Sequence, residues 1–162
     1  MNIRNVEITD AEVIAAIYNY YIENTTITFE EENVSVSEMA SRIGAISSKY
    51  PYLVCEDAGK VIGYAYATQW KTRSAYQFST EGTIYLDHNK TGEGAGSKLY
   101  SALIDEIKKT NLHVLVGGIA LPNAASVALH EKFGFKNVAR FEEIGFKKGK
   151  WIDVGYWELK LK

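Results

Sequence analysis

Apolar residues recur at helical spacing in four parts of the chain. A first helix is predicted to run to about residue 24, because apolar side chains lie three or four residues apart at Val13, Ile14, Ile17, Tyr18 and Tyr21. Further helices are predicted from residue 35 to about 49, after residue 97, and over residues 124–133. A capping box is predicted at Thr9–Glu12, where a hydroxyl and a glutamate three residues later satisfy each other's free amides, and Ser35–Glu38 is a second capping signal.

Strand patterns fill most of the remaining sequence. Short β-branched, aromatic or alternating runs predict strands over residues 2–8, 52–56, 60–70, 78–86, 114–119, 136–143 and 151–161. A short extended segment is predicted over residues 25–29, and the turn at residues 57–59 predicts a hairpin. No repeat or linker interrupts this order. The sequence therefore predicts one α/β domain over residues 1–162, with a mixed sheet.

Composition narrows the classes of protein that fit. The chain has 162 residues, 46% hydrophobic and 23% charged, which is typical of a globular domain. The formal charge of −2 and the lack of a long basic run argue against nucleic acid as a partner. No apolar run approaches the roughly 20 residues of a membrane span, and residues 1–7 lack the apolar core of a signal peptide. We therefore expect a cytoplasmic protein with no membrane partner, in which the single cysteine, Cys55, is a buried thiol.

A glycine-rich turn lies between a predicted strand and a predicted helix. It consists of Gly92, Glu93, Gly94, Ala95, Gly96 and Ser97. A helix N-terminus offers free amides and a partial positive charge, and glycines allow a phosphate to approach the backbone. The spacing fits neither the P-loop nor the dinucleotide-binding pattern. From the turn alone, a phosphate site and a flexible loop at a helix start remain equal alternatives.

Four further segments resemble the GNAT acyltransferase superfamily and, within it, the phosphinothricin N-acetyltransferase family. The turn occupies the place of the superfamily's cofactor motif, although Thr91 stands where that motif has Gln or Arg. The other similar segments, in the same order as in the family, are 17–29, 70–86, 121–131 and 145–155. The resemblance implies the GNAT fold, a mixed central sheet flanked by helices, and direct transfer of acetyl from acetyl-CoA to an amine.

The resemblance also implies the residues that carry the reaction. An ammonium group must lose a proton before it attacks a thioester, and Glu81 matches the family's proposed base. The alternative for Glu81 is a solvated or ion-paired carboxylate. His130 stands where many members of the superfamily have a tyrosine that protonates the departing thiolate. For His130, proton donation and an ordinary hydrogen bond are equal alternatives.

Binding roles follow from the same resemblance. The cofactor would contact the backbone of Ile84, Tyr85 and Leu86, the turn described above, and Asn123, which is also a good N-cap. The substrate would be a small amino acid that carries a phosphinate or sulfoximine group, bound by Phe29, Arg73, Ser74, Ala75 and Tyr76. Three dispersed histidines predict no metal site. The family is usually dimeric, and Trp151, Tyr156 and Trp157 fit either an interface or the core.

Two other functions remain open at this point. One is a GNAT enzyme that acetylates another small amine or a peptide N-terminus. The other is a non-catalytic protein that binds coenzyme A for regulation or interaction.

Overall fold

The computed structural model describes all 162 residues, and its strands form one mixed sheet. The helices are α1 (Ala11–Asn24), α2 (Val36–Ser47), α3 (Ala95–Lys108) and α4 (Ala124–Lys132). The strands are β1 (Asn2–Asn5), β2 (Tyr52–Asp57), β3 (Lys60–Gln69), β4 (Ser79–Leu86), β5 (Val114–Ala120), β6 (Lys136–Lys147) and β7 (Lys150–Lys160). The strand order is β1-β2-β3-β4-β5-β7-β6, with β4 and β5 parallel. The predicted α/β class with a mixed sheet is confirmed.

The chain packs as two compact units. The first unit consists of Met1–Tyr20, Val34–Thr68 and Gly82–Asn111, and the second of Tyr21–Asn33, Gln69–Glu81 and Leu112–Lys162. Strand β4 belongs to both, because Glu81 is the last residue of its segment in the second unit and Gly82 starts a segment of the first. The single domain over residues 1–162 stays a prediction.

One face of α3 forms much of the core of the first unit. The predicted apolar stripe is buried along its whole length, with Leu99, Tyr100, Leu103, Ile104 and Ile107 each at most 4% exposed. Burying a side chain of this size stabilises the fold by about 1.5–3 kcal/mol relative to leaving it in water. Cys55 on β2 is also buried, as predicted, and this burial raises the pKa of its thiol.

The N-terminal segment differs from its prediction. Strand β1 ends at Asn5, and a short 3-10 helix covers Ile8–Asp10. The predicted Thr9–Glu12 capping box is wrong, because the box lies two residues earlier, between Glu7 and Asp10. Asp10 accepts a hydrogen bond from the Glu7 amide at 2.8 Å and two from the Arg4 guanidinium at 2.9 Å. The box forms at Asp10 because this carboxylate is also held by the ion pair with Arg4.

Other local signals have the predicted outcome. Ser35 caps α2, since its hydroxyl accepts a hydrogen bond from the Glu38 amide at 3.1 Å. The β2–β3 hairpin turns through Ala58 and Gly59, whose φ angles of 49° and 77° lie in the left-handed region. Gly134 follows α4 with a φ of 88°, as expected of a residue that ends a helix.

The predicted extended segment over residues 25–29 is wrong. Residues 26–28 form bends, and no residue of the segment belongs to a strand. The Thr25 hydroxyl donates to the Tyr21 carbonyl at 2.7 Å and accepts from the Ile27 amide at 3.2 Å. Such local hydrogen bonds compete with a strand ladder, because they occupy backbone groups that a ladder needs.

Strands β5, β6 and β7 build the second unit. Strand β7 pairs antiparallel with both β5 and β6. Strand β6 continues to Lys147, beyond its predicted end at residue 143, because an irregularity between Phe141 and Gly145 absorbs the break in the pattern. Within it, Glu143 has a φ of 53°, and its amide donates to Asp153 at 2.8 Å. A bulge with its own hydrogen bond therefore replaces the predicted strand end.

Candidate active site

The glycine-rich turn leads directly into α3 in the first unit. Gly92 and Gly94 have φ angles of 81° and 86°, which other residues adopt only with strain, and Gly94 is the N-cap of α3. No side chain caps this helix, which begins at Ala95. The N-cap residue of this 14-residue helix therefore offers no side chain to the first amides, an arrangement suited to an anion.

Strand β4 carries Glu81 and the predicted cofactor backbone a few residues apart. Its ladder with β5 consists of three pairs, of which Glu81–Val116 is the last. Strand β4 then continues to Leu86, through Ile84 and Tyr85. The strand that would hold the cofactor arm thus extends beyond its pairing with β5.

The Glu81 side chain lies close to Gly118, in space that a side chain at residue 118 would occupy. Gly118 on β5 is the direct partner of Tyr156 on β7. A Cβ at Gly118 would lie 3.0 Å from Tyr156 Cε1 and 3.3 Å from Glu81 Oε2. The carboxylate and the tyrosine ring therefore both lie next to Gly118, one of two adjacent β5 positions without a side chain.

Burial and charge act on Glu81 in opposite directions. Burial raises the pKa of the Glu81 carboxyl above its ordinary 4.5, and the positive charge of Lys71 lowers it in part. The pKa of Tyr156 is raised as well, first by burial and then by the charge of Glu81. A carboxylate with a raised pKa is a better proton acceptor than an exposed one, which suits a general base.

A cavity of about 320 Å³ lies in the same unit. It is lined by Trp70, Lys71, Thr72, Arg73 and Tyr76. Lys71 Nζ stands 4.8 Å from the centre of the Trp70 ring, and Trp70 meets the Tyr156 ring edge-on at 5.6 Å. Two cationic side chains among these five make the cavity suited to a small anion with an apolar part.

The predicted substrate residues do not all line this cavity. Arg73 and Tyr76 do, whereas Ser74 and Ala75 belong to the short 3-10 helix Ser74–Tyr76 and are not among its lining residues. Phe29 lies elsewhere in the second unit, against Gly145, where a Cβ would come within 2.4 Å of its ring. Lys147 fixes the same segment by donating from Nζ to the Thr28 carbonyl at 2.8 Å.

His130 is buried on α4 with its ring over Gly117. Its Nδ1 lies 2.7 Å from the Ser126 carbonyl, which can only accept, so Nδ1 carries the proton of the neutral ring. Burial lowers the pKa of His130, although the Ser126 carbonyl partly opposes this. The neutral tautomer has no proton on Nε2, and little imidazolium forms at neutral pH. Of the two alternatives for His130, this geometry favours the ordinary hydrogen bond.

Asn123 caps α4, since its Oδ1 accepts from the Ser126 amide at 3.2 Å. It also lines a groove of about 480 Å³ that includes Pro122, Arg140 and Trp151. Both the capping role and a contact with a bound molecule are therefore available to Asn123.

Sequence reasoning missed two members of the site, Gly118 and Tyr156, which lies beside Glu81 and Trp70. The signal for the first was present, because two glycines in the apolar run of β5 indicate that other groups approach the backbone closely. Tyr156 had no local signal. Its place over Gly118 follows from the register of β7 against β5.

No group of three or more His, Cys, Asp or Glu side chains is placed to hold a metal ion. None of the helices combines the length and apolar character that a bilayer crossing requires.

The sequence profile of the acetyltransferase (GNAT) domain matches residues 3–155 of this chain. The chain belongs to the GNAT acetyltransferase family. It is 36% identical to the phosphinothricin N-acetyltransferase of Streptomyces viridochromogenes, over 98% of this chain and 86% of that protein. It is 34% identical to the L-methionine sulfoximine/L-methionine sulfone acetyltransferase of Salmonella typhimurium, over 99% of this chain and 95% of that protein.

Solved structures agree with the sequence relatives. The GNAT superfamily phosphinothricin acetyltransferase of Sinorhizobium meliloti, in complex with acetyl-CoA, superimposes with a TM-score of 0.95 at 34% identity. The match covers 98% of this chain and 87% of that one. The predicted resemblance, the GNAT fold and the enzyme class are therefore confirmed.

Proposed function

We propose that the chain transfers acetyl from acetyl-CoA to the amino group of a small amino acid with an additional anionic or strongly polar group, of the phosphinothricin or methionine sulfoximine type. The observation that carries this proposal is the cavity with Lys71 and Arg73 on its lining, in the unit that also holds the half-buried Glu81. The names of the two relatives described above support the same substrate class.

The turn at residues 92–97 fits the pyrophosphate of acetyl-CoA. Its left-handed glycines and the uncapped start of α3 form a cradle of backbone amides, which needs no particular side chain at Thr91. The backbone of Ile84, Tyr85 and Leu86 would hold the pantetheine arm, and Asn123 would contact it. Bound acetyl-CoA supplies the thioester, whose C–S bond breaks as the amine nitrogen forms the new amide bond.

Glu81 is the proposed base. It would take the proton from the substrate ammonium, directly or through a water molecule, so that the nitrogen can attack. Arg73 would bind a carboxylate or phosphinate of the substrate, for which a guanidinium is the best-matched side chain. Tyr76 and Trp70 would pack on its apolar part. His130 would hold the start of α4 through the Ser126 carbonyl. The amine nitrogen loses a second proton as the amide forms, and this proton would neutralise the departing thiolate, directly or through water.

The positive charge of Lys71 should shift the acidic limb of the pH–rate profile to lower pH, because it lowers the pKa of Glu81. Replacing Lys71 with Met removes the charge that lowers the pKa of Glu81, so this pKa rises further. A base works only when ionised, and the rate falls as the pH drops through its pKa. We therefore expect the acidic limb of kcat/KM to move to higher pH in Lys71→Met and to stay in place in Lys71→Arg. An identical limb in all three proteins would separate Lys71 from the base.

A thiol-release assay tests the function as a whole. Purified protein with acetyl-CoA should release free thiol with phosphinothricin, methionine sulfoximine or methionine sulfone, and the product should be the N-acetyl derivative by mass spectrometry. Activity confined to peptides or polyamines would contradict the substrate class. Binding of acetyl-CoA without release for any amine would instead indicate a non-catalytic protein.

We also propose a cytoplasmic homodimer. The β6–β7 hairpin exposes the large apolar side chains of Val138, Phe141, Ile144, Phe146 and Trp151, and of these Phe146 and Trp151 are cross-strand partners whose rings contact each other. A patch of this kind usually marks a protein interface. Trp157, in contrast, is only 5% exposed and belongs to the core. Sedimentation equilibrium over a range of protein concentrations would distinguish monomer from dimer.

The cytoplasmic location is supported by the free, buried Cys55, which is compatible with a reducing compartment.

A further inference from the structure

Tyr156 has a fixed position beside Glu81 in the second unit. Cross-strand partners in an antiparallel pair carry their side chains on the same face, so Tyr156 rises over its partner Gly118. The ring reaches far enough across that position to lie 3.0 Å from where a Cβ at residue 118 would be. Only glycine at residue 118 leaves room for the Tyr156 ring in this position without displacing the ring or the Glu81 carboxylate.

Two aromatic side chains hold the Tyr156 ring in this position. Trp70 meets it edge-on at 5.6 Å, with the two ring planes 75° apart. Phe141 meets it edge-on at 5.8 Å, at 82°. Edge-to-face pairs of this kind are the favoured aromatic geometry and restrict the ring without a hydrogen bond. Two aromatic neighbours therefore restrict the position of the Tyr156 ring.

The Glu81 carboxylate lies on the same open position. Its Oε2 would be 3.3 Å from a Cβ at Gly118, which places the carboxylate next to the Tyr156 ring. The charge that acts on the pKa of this carboxyl is that of Lys71, from the segment after β3, and the carboxylate in turn raises the pKa of Tyr156, from β7. Gly118 on β5 adds no charge. An aromatic ring thus lies beside the half-buried carboxylate of the proposed base.

We propose that Tyr156, seated on Gly118, is a positioning residue that holds the Glu81 carboxylate in place and keeps water from one side of it. This proposal rests on the proposed role of Glu81 as the base. The part of Tyr156 that acts is the ring and not the hydroxyl, because the aromatic carbons are the atoms that lie over Gly118. Phe is therefore expected to replace Tyr at this position, and Ala is not.

The kinetic test compares three variants with the wild type. In Tyr156→Ala, water reaches Glu81, the pKa of its carboxyl falls towards the ordinary value, and the acidic limb of the pH profile moves to lower pH. We expect kcat to fall by about tenfold or more, as when a catalytic group loses its alignment. Tyr156→Phe should keep both the limb and the rate. Gly118→Ala should lower kcat while acetyl-CoA affinity is retained, because its methyl group displaces the ring and the carboxylate.

A matched control separates this effect from general damage. Gly44→Ala adds the same methyl group on α2, where its nearest neighbour is Ile8 Cδ1 at 3.8 Å, an ordinary contact, and should leave kcat unchanged. Thermal unfolding of every variant shows whether it folds. If Tyr156→Ala does not fold, Gly118→Ala serves as the test of the proposal.

A second measurement is independent of turnover. The pKa of Glu81 can be followed by carbon-13 NMR of its carboxyl group in the wild type and in both Tyr156 variants. The inference requires a lower pKa in Tyr156→Ala than in Tyr156→Phe. Equal pKa values and equal acidic limbs in the two variants would overturn it. If the wild type acetylates no amine, the proposed function fails, while the NMR titration still decides whether Tyr156 shields Glu81.

Discussion

Replacing Glu81 with Gln is expected to lower kcat by about 10²–10⁴-fold, the range that general base catalysis contributes. Gln has the same length and shape as Glu but cannot accept the proton of an ammonium group. The burial that raises the pKa of Glu81 acts on its charged form, so a neutral amide removes a desolvation cost at the same position. We therefore expect Glu81→Gln to fold as well as the wild type.

Affinity for acetyl-CoA separates a catalytic role from a binding role. The proposed pyrophosphate cradle consists of backbone amides at residues 92–97, which the substitution leaves unchanged. Isothermal titration of acetyl-CoA should thus give a Kd near that of the wild type, while thiol release with the best amine is lost. A rate within a few-fold of the wild type, with an unchanged pH profile, would remove Glu81 from the role of base.

The second large effect is expected from Asp10→Ala, far from this chemistry in sequence. Asp10 is only 6% exposed and accepts hydrogen bonds from the Arg4 guanidinium and the Glu7 amide. Removal of one partner of a buried ion pair costs about 3–5 kcal/mol, because the other charge stays behind without compensation. Arg4 is partly exposed and keeps Glu56 at 2.7 Å, so we expect the lower end, about 3 kcal/mol.

Urea unfolding of the variant and a control measures this difference. Glu38→Ala removes an exposed pair with Arg42 on α2 and should cost no more than about 0.5 kcal/mol. The pKa of Asp10 lies below its ordinary 3.8, mainly because of the hydrogen bonds from Arg4. A lowered pKa contributes stability above the unfolded-state pKa, and this contribution is lost as the pH falls through the folded-state pKa. The gap between wild type and Asp10→Ala should therefore be constant near neutral pH and shrink below about pH 4.

Much of the fold follows from local patterns in the sequence. The face of α3, the Ser35 and Asn123 caps and the β2–β3 hairpin all have the predicted form, because each depends on residues a few positions apart. The wrong predictions come from competition that a local pattern does not show. Asp10 replaces Glu12 in the capping box because Arg4 pairs with it, and residues 26–28 bend because the Thr25 side chain bonds to the backbone.

Some residues of the candidate site could likewise be predicted from the sequence, and others could not. Glu81, Arg73 and the glycine turn could be named from the sequence, because family motifs hold them at fixed positions along the chain. Trp70 and Lys71 belonged to a recognised motif, but their place beside Glu81 and the cavity came from the structure. Gly118 and Tyr156 belonged to no chemical motif, since a glycine in a strand and an aromatic residue near the C-terminus have many ordinary explanations.

The sequence by itself determined which elements form, where a phosphate is expected and which carboxylate is the candidate base. The elements depend on periodicity and on caps, and the turn on backbone conformations that only glycine adopts easily. The cofactor turn and the candidate base were assigned through the resemblance to the family. Only the tertiary structure decided what surrounds that base. The register of β7 against β5 brings Tyr156 over Gly118, and a shift by one residue would turn the ring to the other face of the sheet. Such a register is set by the packing of whole strands, and no short stretch of sequence specifies it.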